Sequence, residues 1–129
     1  MPKPLILCID DEKLGLQVRK MVLESAGYEV VTGIDGPTGL SVFAAEPVTA
    51  VVLDYFMPGM NGGEVAAEMR RLRPAVPIIL LSAYVNLPPE VIRMVDCTII
   101  KGDGPENLLT KVRDVLQPDA DSIGEEDLG

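Results

Sequence analysis

The sequence predicts an α/β fold, a parallel sheet covered on both faces by helices. Three observations carry that prediction. Short apolar runs at residues 5–9, 50–53, 77–81 and 97–100 are continuous rather than alternating, as in strands buried on both faces. Segments of helical period lie between them, so strand and helix alternate along the chain. Each run also ends in a polar residue capable of chemistry: Asp10-Asp11, Asp54, Ser82 and Lys101. In open parallel sheets the ligand crevice lies at the carboxyl ends of the strands.

The elements follow in order. The first strand covers residues 5–9, and a helix follows in which Leu14, Val18, Met21, Val22 and Ser25 recur at three- and four-residue steps. Gly27 reads as its C-cap, and a short strand spans 28–32. Asp35-Gly36-Pro37 joins an N-cap to a Pro in the first turn, opening a helix through Leu40, Phe43 and Ala44 that Pro47 ends. After the third strand and Asp54, the stretch Phe56-Met57-Pro58-Gly59-Met60-Asn61-Gly62 is a turn-rich loop. A third helix carries Val65, Met69 and Leu72 on one face, and Pro74 and Pro77 bracket its exit. Pro88-Pro89 opens a short helix over residues 89–95. Gly104-Pro105-Glu106 opens the last helix, with Leu109, Val112 and Leu116 inward. The strand–helix pair occurs five times in one domain over residues 1–116. The 13 residues from 117 to 129 hold five acids and no base, which predicts a solvated, disordered tail.

Composition removes several functions. The net charge of -9 leaves no basic face for nucleic acid. The cluster Arg70-Arg71-Arg73 reads as the solvated end of a helix. With no His, the chain has no His base, no His metal ligand and no phosphohistidine of its own. Cys8 and Cys97 fall inside strands and are expected to be reduced and buried. The apolar runs fall well short of the roughly 18 residues a membrane span needs. The start, Met1-Pro2-Lys3-Pro4, has too short an apolar run behind it for a signal peptide. The expectation is a cytoplasmic protein.

The clustered edge has its own chemistry. Three crowded carboxylates repel, and each has its pKa raised unless a cation neutralises the group. Oxygen ligands without His or thiolate suit Mg2+, which keeps waters and favours phosphate oxygens. Asp10, Asp11 and Asp54 therefore read as a Mg2+ site with room for a phosphoryl group. Acids at 10 and 11 also suit the start of the following helix; Asp54, on another strand, is what turns the pair into a site. The Lys101 ammonium would pair with a carboxylate at rest and with a phosphoryl oxygen after transfer, and the Ser82 hydroxyl would donate to such an oxygen. Without a base beside it Ser82 is a poor nucleophile, whereas the Asp54 carboxylate attacks phosphorus without prior deprotonation.

These residues resemble the receiver domain of bacterial two-component response regulators over about residues 4 to 116. Asp10-Asp11 is similar to the family's acidic pair, and residues 54–62 to its phosphoacceptor loop. Ser82-Ala83 is similar to its switch hydroxyl and following small residue, and Lys101 to its lysine. The resemblance implies a flavodoxin-like, doubly wound sheet of five parallel strands in order 2-1-3-4-5, three layers deep. It implies Mg2+-dependent transfer of a phosphoryl group from a partner's phosphohistidine to Asp54. The partner would be a sensor histidine kinase or phosphotransfer protein, and the Phe56 backbone carbonyl would join the metal ligands. It also implies a signalling switch rather than a turnover enzyme, acting by changed affinity for a downstream protein through the face of the fourth helix, fifth strand and fifth helix. Gln17 and Arg19 of the first helix would face the kinase.

Several positions depart from the family pattern. Thr98 stands where an aromatic is usual, and Gly102 where a Pro follows the lysine, so the usual cis peptide is not expected. The shorter span from Ser82 to Lys101 should shorten the fourth helix by about a turn. These changes move the expected switch to Ser82, Tyr84 and Thr98, with Tyr84 covering the site. Bulky Phe56 and Tyr84 are expected to slow phosphate loss by occlusion. Two alternatives remain. One is a receiver fold that binds partners without phosphorylation. The other is an Asp-nucleophile phosphatase of the haloacid dehalogenase type, which would need a second Asp where this sequence has Phe56. No second domain follows residue 116 here, so action by partner binding and membership of a longer chain both stay open.

Overall fold

The computed structural model describes residues 3–83 and 86–117; Tyr84 and residues 118–129 of the expected tail lie outside the described residues. Five strands alternate with five helices: β1 (Leu5–Ile9), α1 (Lys13–Ser25), β2 (Glu29–Gly33), α2 (Gly36–Ala45), β3 (Ala50–Asp54), α3 (Gly62–Leu72), β4 (Ile78–Ser82), α4 (Pro89–Met94), β5 (Cys97–Ile100) and α5 (Pro105–Leu116). All neighbouring strands pair in parallel, in the order β2-β1-β3-β4-β5. This is the predicted flavodoxin-like sheet.

Strand alternation builds a core on each face. Leu7, Ile9, Val51, Leu53, Ile78 and Leu80 pack with Phe43 of α2, Val65 and Met69 of α3 and Val91 of α4. Ile6, Cys8, Val52, Ile79, Leu81 and Ile99 pack with Leu16 and Leu23 of α1 and Leu108 and Val112 of α5. Register then sets the functional edge. Ile9 pairs with Leu53, so Asp10 and Asp54 sit side by side at one level. By parity both continue the residues that face α1 and α5. Ser82 pairs with Ile100, and Lys101 follows directly.

Local signals explain the elements. The Asp35 side chain caps α2 by accepting from Thr38 N at 2.8 Å, with Pro37 in the first turn. Asn61 and Glu64 form a capping box on α3. Gly62 has a steric reason: a Cβ there would lie 2.7 Å from both Asp54 O and Tyr55 Cα. Only glycine lets α3 start this close to the end of β3, where Gly62 N donates to Tyr55 O at 2.7 Å.

Several expectations are corrected. The second strand begins at Glu29, one residue later than predicted. On α1 the apolar stripe chosen from sequence is the outer one: Leu14, Val18 and Met21 are exposed, and Leu16 and Leu23 are buried. Leu72 is partly exposed at the end of α3, and Leu108 rather than Leu109 is fully buried in α5. Cys97 is half-buried because β5 is the sheet edge, while Cys8 is fully buried and burial pushes its thiol up to about 12. Arg70 is no solvated helix end. It donates to Met94 O at 2.6 Å, Pro74 O at 2.9 Å and Val76 O at 2.8 Å, and pairs with Asp96 at 2.7 Å. Asp96 in turn accepts from Ile78 N, so α3, β4 and the end of α4 are tied together. The short fourth helix is as expected, six residues long. The peptide bond after Lys101 is trans. Among the described residues no helix is long and apolar enough to cross a membrane.

Candidate functional site

The structure brings Asp10, Asp11 and Asp54 together, with one carboxylate oxygen from each lying within 4.8 Å of the others. Asp10 and Asp54 are only 1% and 2% exposed, and Asp11 is open to solvent. Lys101 Nζ lies 3.1 Å from Asp54 Oδ1, 3.4 Å from Asp10 Oδ2 and 3.2 Å from Glu12 Oε1. Four elements thus supply the site: the ends of β1, β3 and β5 and the start of α1.

Burial dominates the electrostatics. It raises the Asp54 carboxyl, the Asp10 charge adds to the rise, Lys101 opposes it, and the result is about 6. For Lys101, burial pulls the ammonium down, but hydrogen bonding to Asp54 and the charges of Asp54 and Asp10 outweigh it, leaving Lys101 above its ordinary value. At neutral pH Asp54 is therefore ionised and Lys101 charged.

A divalent ion fits these residues. Among the described residues Asp54 Oδ2 is the buried side-chain polar atom with no hydrogen-bond partner. A buried carboxylate oxygen left without a donor is costly unless a cation or proton serves it. The all-oxygen donor set suits a hard cation.

The other predicted residues are placed as follows. Ser82 is buried at the end of β4, and its carbonyl accepts from Lys101 N at 2.9 Å. Thr98 is exposed on β5, opposite Leu80 in register. Phe56 is 71% exposed, so its ring is turned to solvent and does not occlude Asp54 as expected from its bulk. Tyr84 lies outside the described residues.

Sequence reasoning missed one participant. Arg19, expected to face a kinase, instead has its guanidinium bonded to Asp10 Oδ2 and is largely covered. The available signal was spacing: Arg19 is three residues after Leu16 and four before Leu23, on the inward stripe of α1. Arg19 and Lys101 also stand on the wall of an apolar cavity of about 260 Å³ between α1, β5 and α5, lined by Val18, Val22, Ile99 and Leu108.

Comparison with known proteins gives consistent matches. The response regulator receiver domain family matches residues 6–113. The probable transcriptional regulator ycf27 of Porphyridium aerugineum is 35% identical over 120 residues, covering 91% of this chain and 50% of its own length. The chain spans about half the length of such curated relatives. A CheY-like response regulator receiver domain protein from Methanospirillum hungatei superposes with a TM-score of 0.85 at 28% identity, covering 94% of this chain and 99% of that one. The response regulator TrrA of Thermotoga maritima, solved in complex with Mg2+-BeF, gives 0.83 at 33% identity, covering 88% and 99%.

Proposed function

Since the chain belongs to the response regulator receiver domain family, the phosphoacceptor switches of two-component systems, we propose that Asp54 is its phosphoryl acceptor and that a partner's phosphohistidine is the donor. The observation that carries this reading is the meeting of Asp10, Asp11 and Asp54 with the Lys101 ammonium 3.1 Å from Asp54 Oδ1.

In the transfer an Asp54 oxygen attacks phosphorus as the P–N bond to the donor imidazole breaks. The bonding pair leaves with the imidazole, and an acyl phosphate forms on Asp54. With its carboxyl at about 6, Asp54 is ionised at neutral pH and needs no base. Mg2+ held by Asp10, Asp11, Asp54 and the Phe56 carbonyl would supply charge neutralisation for the phosphoryl oxygens. Lys101 pairs with one of those oxygens, and the Ser82 hydroxyl donates to another. Positioning and charge account for the chemistry, and because the phosphoryl group stays on Asp54 the domain would act as a switch rather than a turnover enzyme.

The docking face for the donor is the outer stripe of α1. Leu14, Val18 and Met21 are exposed beside the acidic edge, an apolar surface suited to a helix of a kinase or phosphotransfer protein. Gln17 is exposed on the same helix, whereas Arg19 is turned toward Asp10. Phosphorylation would act on a downstream protein through Ser82 and the neighbouring loop.

Incubation with acetyl phosphate and Mg2+, followed by intact mass, tests the proposal. A phosphate-sized increment on the parent, absent from Asp54→Ala, supports it. No increment on the parent replaces it with a phosphorylation-independent binding module.

A further inference from the structure

Asp10 is buried, and both of its carboxylate oxygens are already engaged by the chain. Oδ1 accepts from Glu12 N at 3.0 Å. Oδ2 accepts from the Arg19 guanidinium and has Lys101 Nζ at 3.4 Å. Of the four carboxylate oxygens on Asp10 and Asp54, Oδ2 of Asp54 is the one without such a partner. A divalent ion can therefore anchor on Asp54 and the exposed Asp11, but to reach Asp10 Oδ2 it must take the place of a guanidinium.

The local backbone is shaped for that guanidinium. Arg19 folds back one turn along α1 and lies over Gly15. A Cβ at position 15 would stand 3.3 Å from Arg19 Nη2 and 3.5 Å from Nη1. Glycine inside a helix is unfavourable relative to alanine, and here its bareness gives the guanidinium its path to Asp10. Once displaced, Arg19 has room beside it, since it already stands on the wall of the α1–α5 cavity.

We propose that Arg19 is a competing cation that sets the divalent-ion affinity of the acidic site. The inference rests on the metal reading given above. Each binding event exchanges one protein cation for one divalent ion at Asp10 Oδ2, and the Gly15–Arg19 pair fixes how tightly the protein cation holds.

Calorimetric titration of the full chain with magnesium chloride tests this. Arg19→Gln should bind Mg2+ about tenfold tighter than the parent. Gly15→Ala keeps every charge but crowds the guanidinium, and should shift the affinity the same way by a smaller factor. Lys20→Gln removes one positive charge from the same helix without touching Asp10, since Lys20 pairs with Glu24. It should stay within about twofold of the parent. Equal or weaker binding by Arg19→Gln overturns the proposal. So does equal tightening in Lys20→Gln, which would assign the effect to net charge. If the parent binds and Arg19→Gln binds alike, the metal reading survives and the Arg19 role falls. If neither binds, both fall. Circular dichroism checks each fold, and Gly15→Ala carries the test should Arg19→Gln unfold.

Discussion

Lys101 Nζ lies 3.1 Å from Asp54 Oδ1, although their strands β5 and β3 are not neighbours in the sheet. The ammonium spans the end of β4 to reach a carboxylate that burial and Asp10 push up to about 6. The pair holds opposing free energies: the buried charge of Asp54 is unfavourable, and Lys101 offsets part of it.

The Asp54 carboxyl is raised in the folded state, so the fold binds its proton more tightly than the unfolded chain does. Its contribution to stability falls as pH rises from about 4 to about 6 and stays unfavourable above that. Asp54→Asn removes the penalty. Without divalent ions, urea unfolding at pH 7.5 should find the variant more stable by about 1–3 kcal/mol. The gap should close toward pH 4. A gap that is constant with pH would contradict the raised carboxyl.

Lys101→Met should have the opposite sign. It leaves the Asp10 and Asp54 charges with less compensation and should lower stability at pH 7.5 by about 2 kcal/mol. Combined with Asp54→Asn, the loss should shrink, giving a coupling of at least about 0.5 kcal/mol in a double-mutant cycle. Strict additivity would mean that the two side chains do not interact.

Gly62→Ala should damage the site through the backbone that carries Asp54. Its methyl would stand 2.7 Å from Asp54 O and Tyr55 Cα, both of them backbone atoms. The urea midpoint should drop by the equivalent of about 1–3 kcal/mol, and acetyl phosphate labelling of Asp54 should slow. A variant as stable as the parent would show that the start of α3 can shift freely.

Val18→Glu places a charge in the outer stripe of α1 without touching the acidic cluster. Transfer from a phosphohistidine donor should slow about tenfold or more, while labelling by acetyl phosphate stays within about twofold. Parallel loss of both would move the docking face elsewhere.

The alternation of strands and helices and the strand-end cluster were legible because each apolar run stops at a polar residue of that cluster, whereas the strand order followed from the family resemblance alone. Asp10, Asp11, Asp54 and Lys101 needed only that alternation and a parallel register. The phase of α1 was not legible for a physical reason. Its inward stripe runs Leu16, Arg19, Leu23, and the guanidinium breaks the apolar pattern because it is bound for Asp10. The outer stripe of Leu14, Val18 and Met21 is the more hydrophobic of the two and drew the assignment. The Phe56 ring was likewise misjudged from size alone, since a bulky side chain at a loop tip is free to turn outward.

Helix α4 is a turn and a half long, and Val91 is its one buried residue. So few residues cannot recover the cost of nucleating a helix from their own hydrogen bonds. The segment holds its shape by borrowing order from β4, α3 and the Arg70–Asp96 tie beside it. Amide protons there should exchange with solvent sooner than those of α3, making this stretch the part of the fold that opens first.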